Sequence, residues 1–242
     1  MLFRSVVTSG DTIYAGTWTG MGEADQRGDL PSFAELLKQY DKNGDGLVSE
    51  AEFPEDMVSA GRPELEKVPH SQNYVKTNFK GIDRNRDGLL DESEWEAFRT
   101  RFTAMAEAHG LLALRPEGES AKIVWRENNS IPEVPSPLLY QNRMFLVRNG
   151  GVVTCLDAAT GKLIYRARAG VGGPYYASPV AAGGRVYLTS GEGVVTVIAA
   201  DKERLEVLAR NDLGEEIFST PAIVGRTIYV RTARNLYAFG DI

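Results

Sequence analysis

Two stretches of twelve residues combine acidic and amide side chains at a spacing that suits a metal ion. They read DKNGDGLVSEAE (41–52, the first loop) and DRNRDGLLDESE (83–94, the second loop). In both, oxygen-bearing side chains stand at positions one, three, five and twelve, and a glycine stands at position six. Calcium is a hard cation that takes about six to eight oxygen ligands, so the chain must wrap around it. The glycine permits the sharp turn, because its backbone adopts a positive φ easily. The spacing therefore predicts calcium binding.

The pattern is that of the EF-hand loop, which assigns a role to each ligand position. In the first loop the predicted ligands are Asp41, Asn43 and Asp45 through their side chains, Leu47 through its carbonyl, Ser49 through a water molecule and Glu52 through both carboxylate oxygens. In the second loop they are Asp83, Asn85, Asp87, Leu89 (carbonyl), Asp91 and Glu94. Val48 and Leu90, at position eight, are expected to pair as a short strand contact between the loops. Two calcium ions are therefore predicted.

Helical patterns flank both loops. SFAELLKQY (32–40) opens with the Ser and Glu of a capping box, and a long helical pattern after the second loop ends at Gly110. NYVKTNFKGI (73–82) is predicted as the helix that enters the second loop, whereas Pro54 shortens or restarts the helix after the first. An Asp-rich solvated turn is the alternative for a single loop. Two loops with helices beside them favour calcium.

The negative charge is concentrated in the same part of the chain. Residues 19–110 hold 19 acidic and 11 basic residues, whereas the remainder holds 14 acidic and 16 basic residues. This distribution argues against nucleic acid as a partner and favours a cation. No apolar run reaches the roughly 18 residues of a membrane-spanning helix, so no transmembrane segment is predicted.

A repeat surrounds the two loops. Similar strand patterns begin at Ser136, Ser178 and Thr220, each 42 residues after the last, and read SPLLYQNRMFLV, SPVAAGGRVYLT and TPAIVGRTIYVR. A third strand pattern follows each of them, and a fourth follows the first two. Four short strands in a repeat of about 40 residues are typical of a β-propeller blade. An all-β sandwich is the alternative, and the regular recurrence disfavours it.

The first residues match the same repeat but are interrupted. We expect residues 1–18 to form the first two strands of a split blade and residues 19–110 to form an inserted EF-hand pair. Residues 111–242 would then complete the split blade and add three further blades, the last with three strands. The predicted fold is mainly β, a partial propeller of about four blades with an inserted α-helical EF-hand pair. Since propellers usually close with about four to eight blades, we expect the chain to be truncated at its N-terminal side.

At LDAATGKLIYRA (156–167), with the Ser-Pro openings, the repeat resembles the pyrroloquinoline-quinone (PQQ)-like blade. That family includes quinoprotein dehydrogenases and the BamB-like lipoproteins of the outer-membrane barrel-assembly machinery. The resemblance covers residues 5–18 and 111–242, and the tryptophan that docks such blades is retained as Trp125. It implies an exported bacterial protein, periplasmic or extracellular, although the first residues lack the apolar stretch of a signal peptide.

The sequence offers no catalytic or organic cofactor-binding constellation. His70 and His109 are its only histidines, and no serine elbow, phosphate-binding loop or zinc-binding spacing occurs. We therefore expect a calcium-binding, non-catalytic scaffold that contacts a protein partner through a propeller face. One alternative is a fragment of a quinoprotein dehydrogenase whose quinone site lies in upstream blades. The other is a calcium sensor, which exposes apolar surface when calcium binds.

Overall fold

The computed structural model describes residues 2–3, 6–18, 28–60, 73–108 and 110–240, so His70 and His109 lie outside the described residues. The chain divides into two compact units. One, the propeller unit, comprises residues 1–18 and 110–242, and the other, the inserted unit, comprises residues 19–109.

The propeller unit begins before the insertion. Its first three strands are β1 (Leu2–Phe3), β2 (Val7–Ser9) and β3 (Thr12–Trp18). The second and third form a hairpin, and Gly10 takes a positive φ of 53° in its two-residue turn. Such turns need a left-handed backbone, which glycine adopts without a steric cost.

The inserted unit contains the three α-helices of the described chain and four short strands. In chain order they are α1 (Phe33–Tyr40), β4 (Val48–Ser49), β5 (Val58–Ala60), β6 (Asn73–Tyr74), α2 (Phe79–Ile82), β7 (Leu89–Leu90) and α3 (Glu92–Glu107). The capping box predicted for α1 is present, with Ser32 as its N-cap and Glu35 as its reciprocal partner. Strands β4 and β7 pair antiparallel with Val48 opposite Leu90, as predicted.

The helix predicted over residues 73–82 is confirmed only in its second part and is wrong for residues 73–75. Strand β6 pairs with β5, and a 3-10 turn over Lys76–Asn78 leads into a helix of a single turn. The amide of Val75 donates to the carbonyl of Met57 at 2.9 Å, which extends the connection to the first hand. These long-range hydrogen bonds satisfy backbone groups that a helix would otherwise have used.

Residues 53–60, the described residues after the first loop, form no helix. The carbonyl of Ser49 accepts hydrogen bonds from the amides of Glu52 and Phe53, at 3.1 and 3.0 Å, and this tight turn leads directly to Pro54. Proline has no amide hydrogen and its ring clashes with the preceding helical turn. The first hand therefore closes with a turn where the second hand has α3.

Both hands share one apolar core. Its buried members are Leu30, Phe33, Leu36, Val48, Phe53, Val75, Phe79, Ile82, Leu90, Trp95, Phe98 and Phe102. Each such side chain contributes about 1.5–3 kcal/mol when it is fully buried. Since the members come from every helix and from both loops, the two hands stabilise each other.

After the insertion the propeller unit continues with thirteen strands. They are β8 (Gly110–Glu117), β9 (Ser120–Glu127), β10 (Leu138–Tyr140), β11 (Arg143–Arg148), β12 (Val152–Asp157), β13 (Leu163–Arg168), β14 (Val180–Ala182), β15 (Arg185–Thr189), β16 (Val194–Ala199), β17 (Val207–Asp212), β18 (Ala222–Val224), β19 (Thr227–Arg231) and β20 (Leu236–Gly240). Together with β1, β2 and β3 they form four antiparallel sheets. The strand orders are β1-β3-β8-β9 (with β2 also paired to β3), β10-β11-β12-β13, β14-β15-β16-β17 and β18-β19-β20. The predicted fold class is confirmed.

The strands on either side of the insertion are neighbours in the first sheet. Strand β3 pairs with β8 in the register Tyr14 opposite Ala113, and β8 pairs with β9 with Ala113 opposite Trp125. Residues 19–109 are therefore inserted in the sequence between two paired strands of one sheet, where the entropy of closing a longer loop is small.

The blades pack face to face through alternating side chains. On β11, Met144 and Leu146 pack in a cluster with the first blade, whereas Phe145 and Val147 pack in a cluster with the third. Because successive side chains of a strand point to opposite faces, an inner strand that is buried on both faces reads as a continuous apolar run. A polar contact also repeats between blades: the amide of Ser136 donates to the Oγ of Ser178 at 2.9 Å, and the amide of Ser178 donates to the Oγ1 of Thr220 at 3.0 Å.

Trp125 docks the first blade on the second. Its indole Nε1 donates to the carbonyl of Ala158 at 3.0 Å, and the hydroxyl of Tyr14 donates to the same oxygen at 3.0 Å. The indole lies against Gly161, where a Cβ atom would come within 2.6 Å of the ring. Gly161 also has a positive φ of 70°, so both its backbone and its contacts require glycine.

Replacing Gly161 with alanine is therefore expected to destabilise the propeller unit by about 3 kcal/mol, through the backbone strain and the clash with Trp125 together. Gly225 has a similar φ of 59°, but a Cβ atom there would meet no neighbouring atom of the described residues within 4 Å. Gly225→Ala is therefore the matched control and should cost about 1 kcal/mol. Denaturant unfolding followed by tryptophan fluorescence measures both. Equal costs would contradict the docking role of Gly161.

Candidate metal centre

Helix ends position both loops. The amide of Asp41 donates to the carbonyl of Leu37 at 3.0 Å, and the amide of Asp83 donates to that of Phe79 at 2.9 Å. Each aspartate at position one is thus the C-terminal cap of the helix that enters its loop. The second loop leads into α3, so Glu94 lies in the first helical turn.

In the first loop, backbone amides hold the acidic side chains toward the inside of the turn. Asp41 accepts hydrogen bonds from the amide of Gly44 at 2.7 Å and from the amide of Gly46 at 3.0 Å. Asn43 Oδ1 accepts from the amide of Asp45 at 2.8 Å, and its Nδ2 donates to Asp45 Oδ2 at 2.8 Å. Gly46 has the positive φ of 80° that the EF-hand turn requires.

The second loop repeats these contacts. Asp83 accepts from the amides of Arg86 and Gly88 at 2.6 and 3.0 Å. Asn85 Oδ1 accepts from the amide of Asp87 at 2.9 Å, and its Nδ2 donates to Asp87 Oδ2 at 2.9 Å. Gly88 has a φ of 85°. The two sequences therefore fold into two loops with matching hydrogen bonds.

The glutamates at position twelve close the loops. Glu52 accepts from the amide of Lys42 at 3.1 Å and from the amide and the hydroxyl of Ser49 at 3.0 and 2.7 Å. The hydrogen bonds from Ser49 lower the pKa of Glu52, and the bond from its backbone amide has the larger effect. Glu52 therefore remains ionised, as a calcium ligand must be. Glu94 accepts from the amide of Arg84 at 2.7 Å.

The donor chemistry of both loops fits calcium. The six predicted positions of each loop carry carboxylate, amide, carbonyl or hydroxyl oxygens, the ligands that calcium prefers, and hydrogen bonds within the loop orient the side chains at positions one, three, five, nine and twelve. No three acidic, histidine or cysteine side chains anywhere in the described ranges form a metal cluster by themselves. The ligands of an EF-hand loop also include an asparagine, a backbone carbonyl and a water molecule. In both loops of this chain, carboxylates accept hydrogen bonds from backbone amides.

Two groups in the propeller unit that are chemically reactive in other proteins have structural surroundings here. Cys155 is fully buried, and burial raises the pKa of its thiol to about 11, so it stays protonated. Asp157 accepts from the hydroxyl and the amide of Thr160 at 2.6 and 2.8 Å, which lowers its pKa and fixes the turn before β13. Neither arrangement is that of a nucleophile or a base.

None of the helices within the described residues combines the length and the apolar character needed to cross a membrane.

Comparison with known families assigns each unit. A model described as outer membrane protein assembly factor BamB matches residues 110–239, and a model of the EF hand matches residues 33–57 and 77–98. A curated relative, Polcalcin Nic t 2 of Nicotiana tabacum, is 31% identical over 78 residues, which are 32% of this chain and 83% of that protein. The EF-hand matches indicate that the inserted unit binds calcium.

Solved structures show more distant likeness. BamB from Moraxella catarrhalis is 18% identical with a TM-score of 0.45, and the match covers 54% of this chain and 40% of that chain. A europium-containing methanol dehydrogenase is 18% identical with a TM-score of 0.34, covering 40% and 20%. The computationally designed Ika4 protein is 11% identical with a TM-score of 0.43, covering 54% and 84%. The chain thus spans two fifths of the length of the solved BamB.

Proposed function

Since this chain belongs to the family of the outer membrane protein assembly factor BamB, we propose that it is a calcium-binding, non-catalytic propeller scaffold that holds two calcium ions and contacts a protein partner. One observation carries the calcium part of this proposal. The hydrogen bonds that orient the side chains at positions one, three, five and twelve of the first loop recur in the second. Two loops of the same geometry are expected to bind two ions of the same kind.

The scaffold role is supported by the way the propeller unit uses its side chains. Cys155 is buried in the core, Asp157 fixes a turn, and the inner strands are mostly apolar on both faces. A rigid stack of blades with side chains of this kind suits protein contacts better than chemistry.

A row of exposed apolar side chains supports a protein partner. Val134, Tyr176 and Phe218 lie 42 residues apart, in the loops that connect successive blades. They are 52%, 42% and 51% exposed, and the rings of Tyr176 and Phe218 are 5.4 Å apart. Tyr176 and Phe218 are therefore in contact and Val134 holds the equivalent place one repeat earlier, and exposed apolar surface of this kind often marks an interaction site.

Photo-crosslinking in the native host tests this row. A photoreactive phenylalanine analogue at position 176 or 218 is expected to give crosslinked species of higher mass. The same analogue at Leu163, which is 43% exposed on an outer strand, is the control and should give none. Equal crosslinking from all three positions, or none from 176 and 218, would overturn the row as the contact surface.

Family membership also supports an exported bacterial protein that acts in the periplasm or outside the cell. If calcium there is abundant and constant, bound ions act as structural staples and the inserted unit stays loaded.

Calorimetric titration of the full chain with calcium tests the calcium function. We expect two ions to bind, and Glu52→Gln and Glu94→Gln each to remove one, because position twelve supplies both oxygens of a carboxylate. Glu50→Gln and Glu92→Gln are matched controls at position ten, where no ligand is predicted, and should still bind two ions. A folded chain that binds no calcium would overturn the proposal.

A further inference from the structure

We propose that the two loops bind calcium with unequal affinity and that the second loop (83–94) fills before the first (41–52). This inference rests on the proposed calcium function. It follows from three differences between loops whose backbone hydrogen bonds are otherwise alike.

Position nine differs in charge. Asp91 in the second loop adds a fourth carboxylate to those of Asp83, Asp87 and Glu94, whereas Ser49 in the first loop is neutral. The side chain of Asp91 is already placed, because its Oδ1 accepts from the amide of Glu94 at 2.8 Å. Affinity in EF-hand loops rises with the number of charged ligands.

Position nine also affects the glutamate at position twelve. The hydroxyl of Ser49 donates to Glu52 Oε2 at 2.7 Å, which is one of the two oxygens that calcium needs. An ion entering the first loop must compete with that hydrogen bond or share the oxygen. No hydroxyl stands at position nine of the second loop, so Glu94 meets no such competition there.

The second loop is better organised before the ion arrives. Asp83 and Glu94 are only 6% and 7% exposed, and Glu94 is fixed in the first turn of the sixteen-residue α3. Asp41 and Glu52 are more exposed, and Glu52 lies in a turn that leads into the non-helical residues 53–60. Ligands that are ordered in advance lose less entropy on binding, and burial strengthens their attraction to the ion.

The basic residues of the second loop oppose this order but do not reverse it. The second loop has five acidic and two basic residues, Arg84 and Arg86, and the first loop has four acidic residues and one basic residue. Both loops therefore have the same net charge of −3. Both arginines are exposed, and water and salt screen such charges strongly. The carboxylates stand at the ligand positions of the loop, so we expect their number to decide the order.

Titration of glycine amides by NMR reports on each loop of the full chain separately. The amides of Gly46 and Gly88 donate to Asp41 and Asp83 at 3.0 Å, so each responds when its own loop binds an ion. We expect the Gly88 signal to complete its change by one equivalent of calcium and the Gly46 signal to change between one and two. Changes in the opposite order, or together, would overturn the inference.

Exchange of position nine tests the cause. We expect Asp91→Ser to weaken the second loop about tenfold, Ser49→Asp to strengthen the first about tenfold, and the double exchange to reverse the order of filling. Glu92→Gln removes the same charge from the second loop outside the ligand positions, so it is the control and should leave the order unchanged. If Glu92→Gln acted as strongly as Asp91→Ser, bulk charge would be the cause and the argument from position nine would fail.

The two proposals fail differently. If calorimetry detects no calcium binding to the folded chain, the calcium function itself is wrong. If two ions bind but Gly46 responds first, only the order is wrong.

Discussion

Removing calcium is expected to lower the melting temperature of the inserted unit strongly and to leave the propeller unit unchanged. A ligand that binds only the folded state stabilises it by about 2.7 kcal/mol when its free concentration is 100 times Kd. For a unit of this size, each 1 kcal/mol shifts the melting temperature by roughly 4–8 °C, so one occupied loop should contribute at least about 10 °C. The effect is large because at least three carboxylates stand at the predicted ligand positions of each loop, and a bound cation neutralises their mutual repulsion.

Circular dichroism at the helical band measures this change in the full chain, because α1, α2 and α3 all belong to the inserted unit. Melting curves in excess calcium and in chelator should differ for the unaltered chain. The double variant Glu52→Gln, Glu94→Gln should give the same curve in both buffers. Coincident curves for the unaltered chain would show that calcium does not stabilise this unit.

Both loops could be predicted from sequence because their information is local. All twelve predicted positions lie within two runs of twelve residues, and the structure gathers each run into one loop with the predicted pairing of Val48 and Leu90. The blades were predictable for a related reason, since a period of 42 residues repeats the same local strand pattern. The predicted resemblance to PQQ-like and BamB-like blades with EF hands is confirmed by the family matches.

The connection between the two hands could not be predicted in this way. Tyr74, Val75, Phe79 and Ile82 have helical spacing, and the local pattern therefore favoured a helix. The structure instead pairs Tyr74 with Val58, a residue whose position in space depends on the turn before Pro54. Such long-range pairing leaves no local signal, so tertiary contacts overrode the helical pattern.

The segment before α1 was also missed, and it has a definite role. Leu30 is buried in the core of the inserted unit, and its carbonyl accepts from Arg99 Nε at 3.2 Å. The carbonyl of Pro31 accepts from the indole Nε1 of Trp95 at 2.9 Å. Residues 28–31 thus contact α3 and belong to no helix or strand. The Leu-Pro pair was the available signal, since the residue before proline favours extended backbone.

Replacing Trp95 with alanine is expected to destabilise the inserted unit by about 3–5 kcal/mol, the usual cost of removing a large aromatic side chain from a core. Trp95 is fully buried, and its ring lies 5.8 Å from that of Phe53 and 5.6 Å from that of Phe98. Denaturant unfolding in saturating calcium, followed by the helical band, measures the loss. A change below about 1 kcal/mol would contradict the core as the main source of stability of this unit.

Trp95→Phe separates packing from the hydrogen bond to the segment before α1. Phenylalanine keeps an aromatic ring in the core but cannot donate to Pro31, so the expected cost is about 1–2 kcal/mol, well below that of alanine.

This comparison also bears on the sensor alternative. A sensor exposes its apolar groove when calcium binds, whereas here Leu30 is buried in the core beside α3 and the indole holds Pro31 against the helix. If calcium opened the core of the inserted unit, saturating calcium would break the hydrogen bond between Trp95 and Pro31. Trp95→Phe would then lower the free energy of unfolding only by the contribution of the lost ring area. A hydrogen-bond cost that persists in saturating calcium would therefore identify the loaded unit as closed and its calcium as structural.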